Sequence, residues 1–253
     1  MTTLSVVVIT LNEEANIRAC LESASFADEI VVVDSGSVDR TVEICREFTD
    51  KVFFRAWDGY PTQRNAAHGL ASGDWILSLD ADERVSPELA GEILAAVGRP
   101  DQKLDGFYLP YQVFWKDKWL RHGGFYPERH LRLFRRGKAE YGARAVHEAI
   151  RASGPTGRLR NHILHYTYSS IGDYLARMDR YSRLSAEEYA RQGRETGPVR
   201  MTGRALFTFF GMFVLKRGFL DGWEGFLTAS LYGVYTFVKY ARLYELTREA
   251  RKK

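Results

Sequence analysis

Apolar and polar residues along the first hundred positions alternate between two rhythms. Residues 4–9 form a short β-branched run, the pattern of a parallel strand covered on both faces. The run stops at Thr10-Leu11-Asn12, and residues 13–24 carry Ile17, Cys20 and Leu21 at helical spacing. A second apolar run at 30–33 is stopped by Asp34-Ser35-Gly36-Ser37, after which Asp39-Arg40-Thr41 opens a helix containing Val42, Ile44 and Cys45. Residues 51–56 predict a third strand and 62–71 a third helix. Residues 75–79 predict a fourth strand, which delivers Asp80 and Asp82 at its C-terminal end. This order predicts an α/β fold built from parallel strand-helix-strand units with right-handed crossovers. Ligands of such sheets gather outside the carboxyl ends of the strands. Three of those ends carry polar clusters here: 10–13, 34–39 and 80–83.

The pattern then changes twice. Residues 106–168 are rich in Gly, aromatics, Arg and His, with short strand-like pieces such as 106–111. Beyond Ser169 the spacing is helical, with Pro198 as a break before a final helical segment. The expected organisation is one α/β domain over 1–168 and a helical C-terminal extension over 169–253.

Charge sharpens this division. The net charge is +4, yet residues 200–253 hold ten Lys or Arg against four Asp or Glu. All the excess positive charge belongs to the extension, which argues against uniform nucleic-acid affinity and for a membrane surface. The only cysteines, Cys20 and Cys45, lie on helix faces and read as inert reduced thiols. No basic leader precedes the first strand, and no apolar run reaches the ~20 residues of a spanning helix. The expectation is therefore a cytoplasmic protein.

The sharpest chemical signal is Leu79-Asp80-Ala81-Asp82-Glu83. At a strand-to-loop turn two such carboxylates can converge on one hard cation, Mg²⁺ or Mn²⁺. Taken alone, the run favours a solvated acidic turn after a buried strand, and it is the polar ends of the earlier strands that turn the reading towards a cation site. Asp34, at the end of an earlier strand, could accept hydrogen bonds from a ribose or base, and Asp39 either does likewise or caps the following helix. Among Arg129, Arg132, Arg135 and Arg136, strand spacing prevents action as one unit; one or two could bind an anion, with the rest solvated.

Three ordered stretches carry a family resemblance: Val-Val-Val-Ile-Thr-Leu-Asn-Glu-Glu from Val6, Ile-Val-Val-Val-Asp-Ser-Gly-Ser from Ile30, and Gln-Arg-Asn-Ala-Ala-His-Gly from Gln63 running on to Asp80-Ala-Asp-Glu. They resemble the family 2 glycosyltransferases of GT-A fold, a Rossmann-like, mostly parallel sheet flanked by helices. The middle segment and Gly-Phe-Leu-Asp-Gly from Gly218 resemble the bacterial lipopolysaccharide core β-1,4-glucosyltransferases more narrowly. The resemblance implies a catalytic domain with a nucleotide-sugar half over about 1–100 and an acceptor half over about 101–168. It implies that Thr10, Asn12, Glu13, Asp34, Arg64 and Asp80 bind a UDP-sugar, and that Asp82, Asp80 and His165 hold the metal. It implies an acceptor loop containing His122, Gly123 and Gly124, with His147 orienting the acceptor.

An inverting transfer also needs a carboxylate that is not on the metal to take the acceptor proton. Glu148 in Val146-His147-Glu148 fills that position, its alternative being a surface ion pair. His165 is either a ligand or a structural histidine, and His122 and His130 could be plain loop residues.

The most specific reading is transfer of glucose from UDP-glucose to a lipopolysaccharide inner-core heptose or similar lipid-linked glycan, at the cytoplasmic face of the inner membrane. Its rivals are another donor, a polyprenyl or peptide acceptor, a sugar nucleotidyltransferase, and a non-catalytic sugar- or lipid-binding module. The nucleotidyltransferase would need a glycine-rich, Lys-containing phosphate loop after the first strand, which Thr10-Leu11-Asn12-Glu13 is not. The aromatic segments 206–215 and 225–238 either lie at a membrane interface as a peripheral contact or pack as a bundle, on this chain or in a homo-oligomer.

Overall fold

A computed structural model describes residues 1–142 and 150–250. The first elements are β1 (Leu4–Thr10), α1 (Ile17–Ser23), β2 (Glu29–Asp34), α2 (Thr41–Cys45), β3 (Val52–Phe54), α3 (Tyr60–Gly69) and β4 (Trp75–Asp80). There follow β5 (Glu83–Val85), α4 (Pro87–Val97), β6 (Gly106–Trp115), β7 (Lys118–Leu120), β8 (Arg129–Arg135) and β9 (Ala139–Tyr141). After β10 (Ile150–Ala152), β11 (Thr156–Arg158) and β12 (Ile163–Tyr168), the chain is helical: α5 (Ile171–Arg191), α6 (Pro198–Phe210) and α7 (Trp223–Ala250). A π-helical turn (Gly211–Leu215) and a 3₁₀ turn (Gly218–Asp221) join α6 to α7.

The expected α/β class is present. Strands β3, β2, β1 and β4 lie side by side in parallel. β8 adds antiparallel to β4, and β6 antiparallel to β8. Val7, Val31, Val33, Ile76 and Phe134 pack with Ala67 and Ala71 around α3 in one core cluster. The alternate residues Val6, Val8, Val32 and Leu77 are equally buried, so both faces of the sheet are covered. That is why these strands read as continuous apolar runs.

The helix expected over 13–24 begins only at Ile17. Its first turn is diverted into a lock between two loops. Asn12 sits at φ +53° and accepts the amide of Val38, while its own amide donates to Ser37 Oγ. The amides of Glu13 and Glu14 donate to Thr41 Oγ1 and Asp39 Oδ2.

Contacts divide the chain into two units, Met1–Tyr111 with Glu128–His165, and Gln112–Pro127 with Tyr166–Lys253. The helical unit therefore includes a segment, Gln112–Pro127, that precedes the expected boundary at 168. Within it β7 folds back on β6, and α5 and α6 pack on α7. The 3₁₀ turn lies so close to α7 that a Cβ on Gly225 would meet the Gly218 carbonyl oxygen at 1.9 Å. Only glycine fits there.

Candidate active site

Strand register sets out the site. Thr10 pairs with Asp34 across β1 and β2, and Ile9 pairs with Asp80 across β1 and β4, so three adjacent strands end in one polar row. Asp34 is buried and already organises its own loop: Oδ2 accepts the amides of Gly36 and Ser37 at 2.8 and 2.9 Å, and Oδ1 accepts Ser37 Oγ. Asp39 accepts the amide and hydroxyl of Thr41, but the N-cap of α2 is Arg40, so Asp39 braces the turn before the helix and is not its N-cap. Beside Asp34, the buried Thr10 Oγ1 has no hydrogen-bond partner among the described residues. Glu13 accepts Asn16 Nδ2.

The residues around Arg64 divide the work of α3. Gln63 is fully buried and donates to Ser35 Oγ and the Arg55 carbonyl, tying α3 to the loop after β2. Asn65 exchanges two hydrogen bonds with the backbone of Tyr141 on β9. Between them Arg64 grips both oxygens of Asp80, at 2.7 and 3.0 Å, and donates to Tyr141 Oη at 2.8 Å.

Asp80 has a second cationic partner that sequence reasoning did not single out. Arg132 on β8 donates to Asp80 Oδ2 and to Glu83 Oε1, each at 2.9 Å, and Glu83 Oε2 accepts the amide of Asp80. Burial pushes the Asp80 carboxyl up, but Arg64 and then Arg132 outweigh it and hold the group well below the usual range. Glu83 has no exposed surface; burial is the largest influence on it and raises its pKa, against the pull of Arg132. Arg132 is therefore buried in the site, on Asp80 and Glu83, while Arg129 and Arg136 are exposed, as expected of the rest of the cluster. Its three neighbours are also engaged, Arg129 with the Leu159 carbonyl, Arg135 with those of Leu104 and Gln102, and Arg136 with that of Gly73. Their scattering bears out the expectation that the four do not act together.

Asp82 is buried and lies next to His165 on β12, with Oδ1 3.5 Å from Nε2. Pairing of β12 with β5 puts His165 opposite Glu83 and so beside this turn. Burial favours the neutral imidazole, but the hydrogen bond and charge of Asp82 outweigh it, and the His165 pKa is raised.

His122, Gly123 and Gly124 belong to the helical unit. His122 presents Nδ1 to Asp221 Oδ1 at 2.8 Å and donates its amide to Oδ2 at 2.7 Å. Gly123 donates its amide to the Lys216 carbonyl, and Gly124 sits at φ +97°, a conformation that favours glycine, with the Lys216 side chain against it. This loop is thus held by the turns between α6 and α7. His147 and Glu148 lie outside the described residues.

A model of the family described as Glycosyl transferase family 2 matches residues 5–160. The chain belongs to this family. An uncharacterized glycosyltransferase of Rickettsia bellii (strain RML369-C) is 30% identical over 96% of this chain and 87% of its own length. The lipopolysaccharide core biosynthesis glycosyltransferase LpsC of Rhizobium meliloti (strain 1021) is 30% identical over 96% of this chain and 92% of its own. Among solved structures, glucosyl-3-phosphoglycerate synthase from Mycobacterium tuberculosis, in complex with Mn²⁺ and UDP-glucose, aligns at a TM-score of 0.37 and 22% identity. That alignment covers 46% of this chain and 44% of the other, too slight a likeness to bear on this chain's ligands.

For a family 2 glycosyltransferase the question of metal falls on Asp82, Asp80 and His165. Among the described residues no group of three or more His, Cys, Asp or Glu side chains is arranged to hold a metal ion. Asp80 is engaged by two guanidiniums, whereas Asp82 Oδ1 and His165 Nε2, 3.5 Å apart, are an oxygen and a nitrogen donor that face one another and would have to exchange that contact for a cation. The Asp82 carboxylate is the donor type that suits Mg²⁺ or Mn²⁺, with substrate oxygens completing the shell, while the His165 imidazole is a softer donor than those cations prefer.

Proposed function

We propose that this family 2 glycosyltransferase moves a hexose, glucose from UDP-glucose in the most specific form, with inversion, onto a lipopolysaccharide inner-core heptose or a similar lipid-linked glycan. The observation that carries the nucleotide-sugar part is the row of Asp34, Thr10 and Asp80 at three adjacent strand ends, with Asp82 and His165 beside it. The likeness to LpsC over nearly the whole chain supports the acceptor class.

In this reading the unpartnered Thr10 hydroxyl and the Asp34 loop receive the nucleoside, with Asn12 and Glu13 at the same edge. Arg64 turns part of its guanidinium toward the diphosphate, and Arg132 keeps Asp80 ionised while it does so. Asp82 and His165 hold Mg²⁺ or Mn²⁺, which when bound offsets negative charge on the departing diphosphate. Glu148 takes the proton from the acceptor hydroxyl as that oxygen attacks the anomeric carbon, and His147 with the His122-Gly123-Gly124 loop orients the acceptor.

The test is incubation of the full chain with labelled UDP-sugars and deep-core lipopolysaccharide truncated at the inner-core heptose. Transfer from UDP-glucose with a β-linked product supports the full reading. Transfer from a different UDP-sugar corrects the donor alone, and transfer from none of them overturns the proposal.

A further inference from the structure

The helical unit leaves one surface uncovered. α6 and the π-helical turn after it, Pro198–Phe210 and Gly211–Leu215, contain no buried residue. Phe207, Phe210, Leu215, Leu220 and Trp223 are each more than half exposed. The outer row stands on a packed inner one: the Phe209 and Phe213 rings stack at 5.6 Å, Phe213 meets Phe226 edge-on at 5.7 Å, and Trp223 lies 5.5 Å from Phe226. α6 is also tied to α7, through Thr236 Oγ1 and Thr208 Oγ1 at 3.2 Å. The surface is therefore a formed one, and exposed apolar side chains grouped in this way, with polar residues at their edge, mark docking sites.

Its charge says what docks. Residues 198–239 hold five basic side chains, Arg200, Arg204, Lys216, Arg217 and Lys239, and two acidic ones, Asp221 and Glu224. Asp221 is buried and occupied by His122, so it offsets little at the surface. Arg200 and Arg204, one helical turn apart, line a surface cleft of about 380 Å³ with Gly203 and Phe207. Two cations at the edge of an apolar row are the pattern of a helix lying in a membrane interface, with rings among the acyl chains and guanidiniums on the phosphates. A two-fold contact between copies centred on this face would instead bring like charges together. Among the described residues no helix is long and apolar enough to cross a membrane, so the fit is to a surface and not a span.

We propose that the face formed by α6, the two turns after it and Trp223 is a membrane-docking surface selective for anionic lipids, with Arg200 and Arg204 as its headgroup-binding pair. It takes lipid whatever the identity of the sugar donor.

The full chain is sedimented with phosphatidylcholine vesicles, with and without phosphatidylglycerol. Binding should require the anionic lipid and weaken with salt, and Arg200→Glu with Arg204→Glu should weaken it about tenfold or more. In the unaltered protein, brominated lipid should quench tryptophan emission, and Trp223→Phe should remove most of that quenching. Equal binding to both vesicle types, no binding to either, or undiminished binding by the charge-reversed pair overturns the proposal. So does a solution dimer that Phe207→Ser dissociates, which would assign the face to a second copy of the chain.

Discussion

Arg64 and Asp80 form a two-point ion pair, one guanidinium nitrogen reaching both carboxylate oxygens at 2.7 and 3.0 Å. The same Arg64 donates to Tyr141 Oη, so its head group is fixed from two sides. Lysine has neither the fork nor the reach to keep both contacts. Arg64→Lys should lower turnover about 10–100-fold, the usual cost of losing an orienting partner. Steady-state release of nucleoside diphosphate checks this; unaltered turnover would mean that the Arg64–Asp80 contact serves folding alone.

Asp82 and Glu148 should separate in kind. Asp82→Ala removes a proposed ligand and should cost at least about 100-fold in turnover, more than an outer partner costs, with the apparent affinity for Mn²⁺ falling as well. Glu148→Gln removes a proposed base and should cost about 10²–10⁴-fold. Donor binding by calorimetry should be weakened in the first variant and preserved in the second. Weakened donor binding in Glu148→Gln would place that residue on the wrong substrate.

Arg132 is mainly a stability residue for the site floor. Removing it leaves the fully buried Glu83 without its cation, and breaking such a pair costs about 3–5 kcal/mol. Arg132→Met should show that loss in urea unfolding. Glu83→Gln should cost clearly less, because Arg132 keeps Asp80 and the amide of Asp80 keeps an acceptor. The reverse order would refute this account of the network.

Stability should fall in acid partly through Glu29. Its carboxylate accepts the amide and hydroxyl of Ser72, both at 2.8 Å, and is paired with Ser5 and Lys51. Burial opposes the charge, yet these partners lower the pKa from 4.5 to about 2. The folded value lies below the unfolded one, so the contribution is full above about pH 4.5 and is lost as pH falls towards 2. The shift corresponds to at most about 3 kcal/mol. Glu29→Gln should lose stability of that order at pH 7 and vary less than the parent protein between pH 5 and 2, in denaturant titrations across that range.

The two thiols should be inert in the native state. Burial raises the Cys20 thiol well above its ordinary value and the Cys45 thiol to about 12, with nearby carboxylates adding to both. Neither should react with a disulfide reagent at pH 8 until urea unfolds the chain. Rapid modification of one thiol in the folded protein would contradict this.

Much of the fold was legible locally. The runs that became β1, β2 and β4 announce themselves because a strand covered on both faces must be apolar at every position. Helix starts were less so: the turn at Asn12 to Asn16 depends on Ser37, Asp39 and Thr41 of another loop. The acidic run at 79–83 was visible as chemistry, but Glu83 within it was not visible as a buried partner. Strand parity could have flagged Arg132, an arginine two residues from Phe134 on the same face of an apolar strand.

By itself the sequence determined the α/β class, the family, the polar strand ends and the basic, aromatic character of the C-terminal extension. Those properties follow from periodicity and from motifs read within a few residues. Tertiary structure alone decided that Arg132 reaches Asp80 and Glu83 across 52 and 49 positions, that Arg64 and Arg132 together engage Asp80, and that α6 is left uncovered. Such relationships depend on strand register and helix packing, where a slip of one residue turns a side chain to the opposite face.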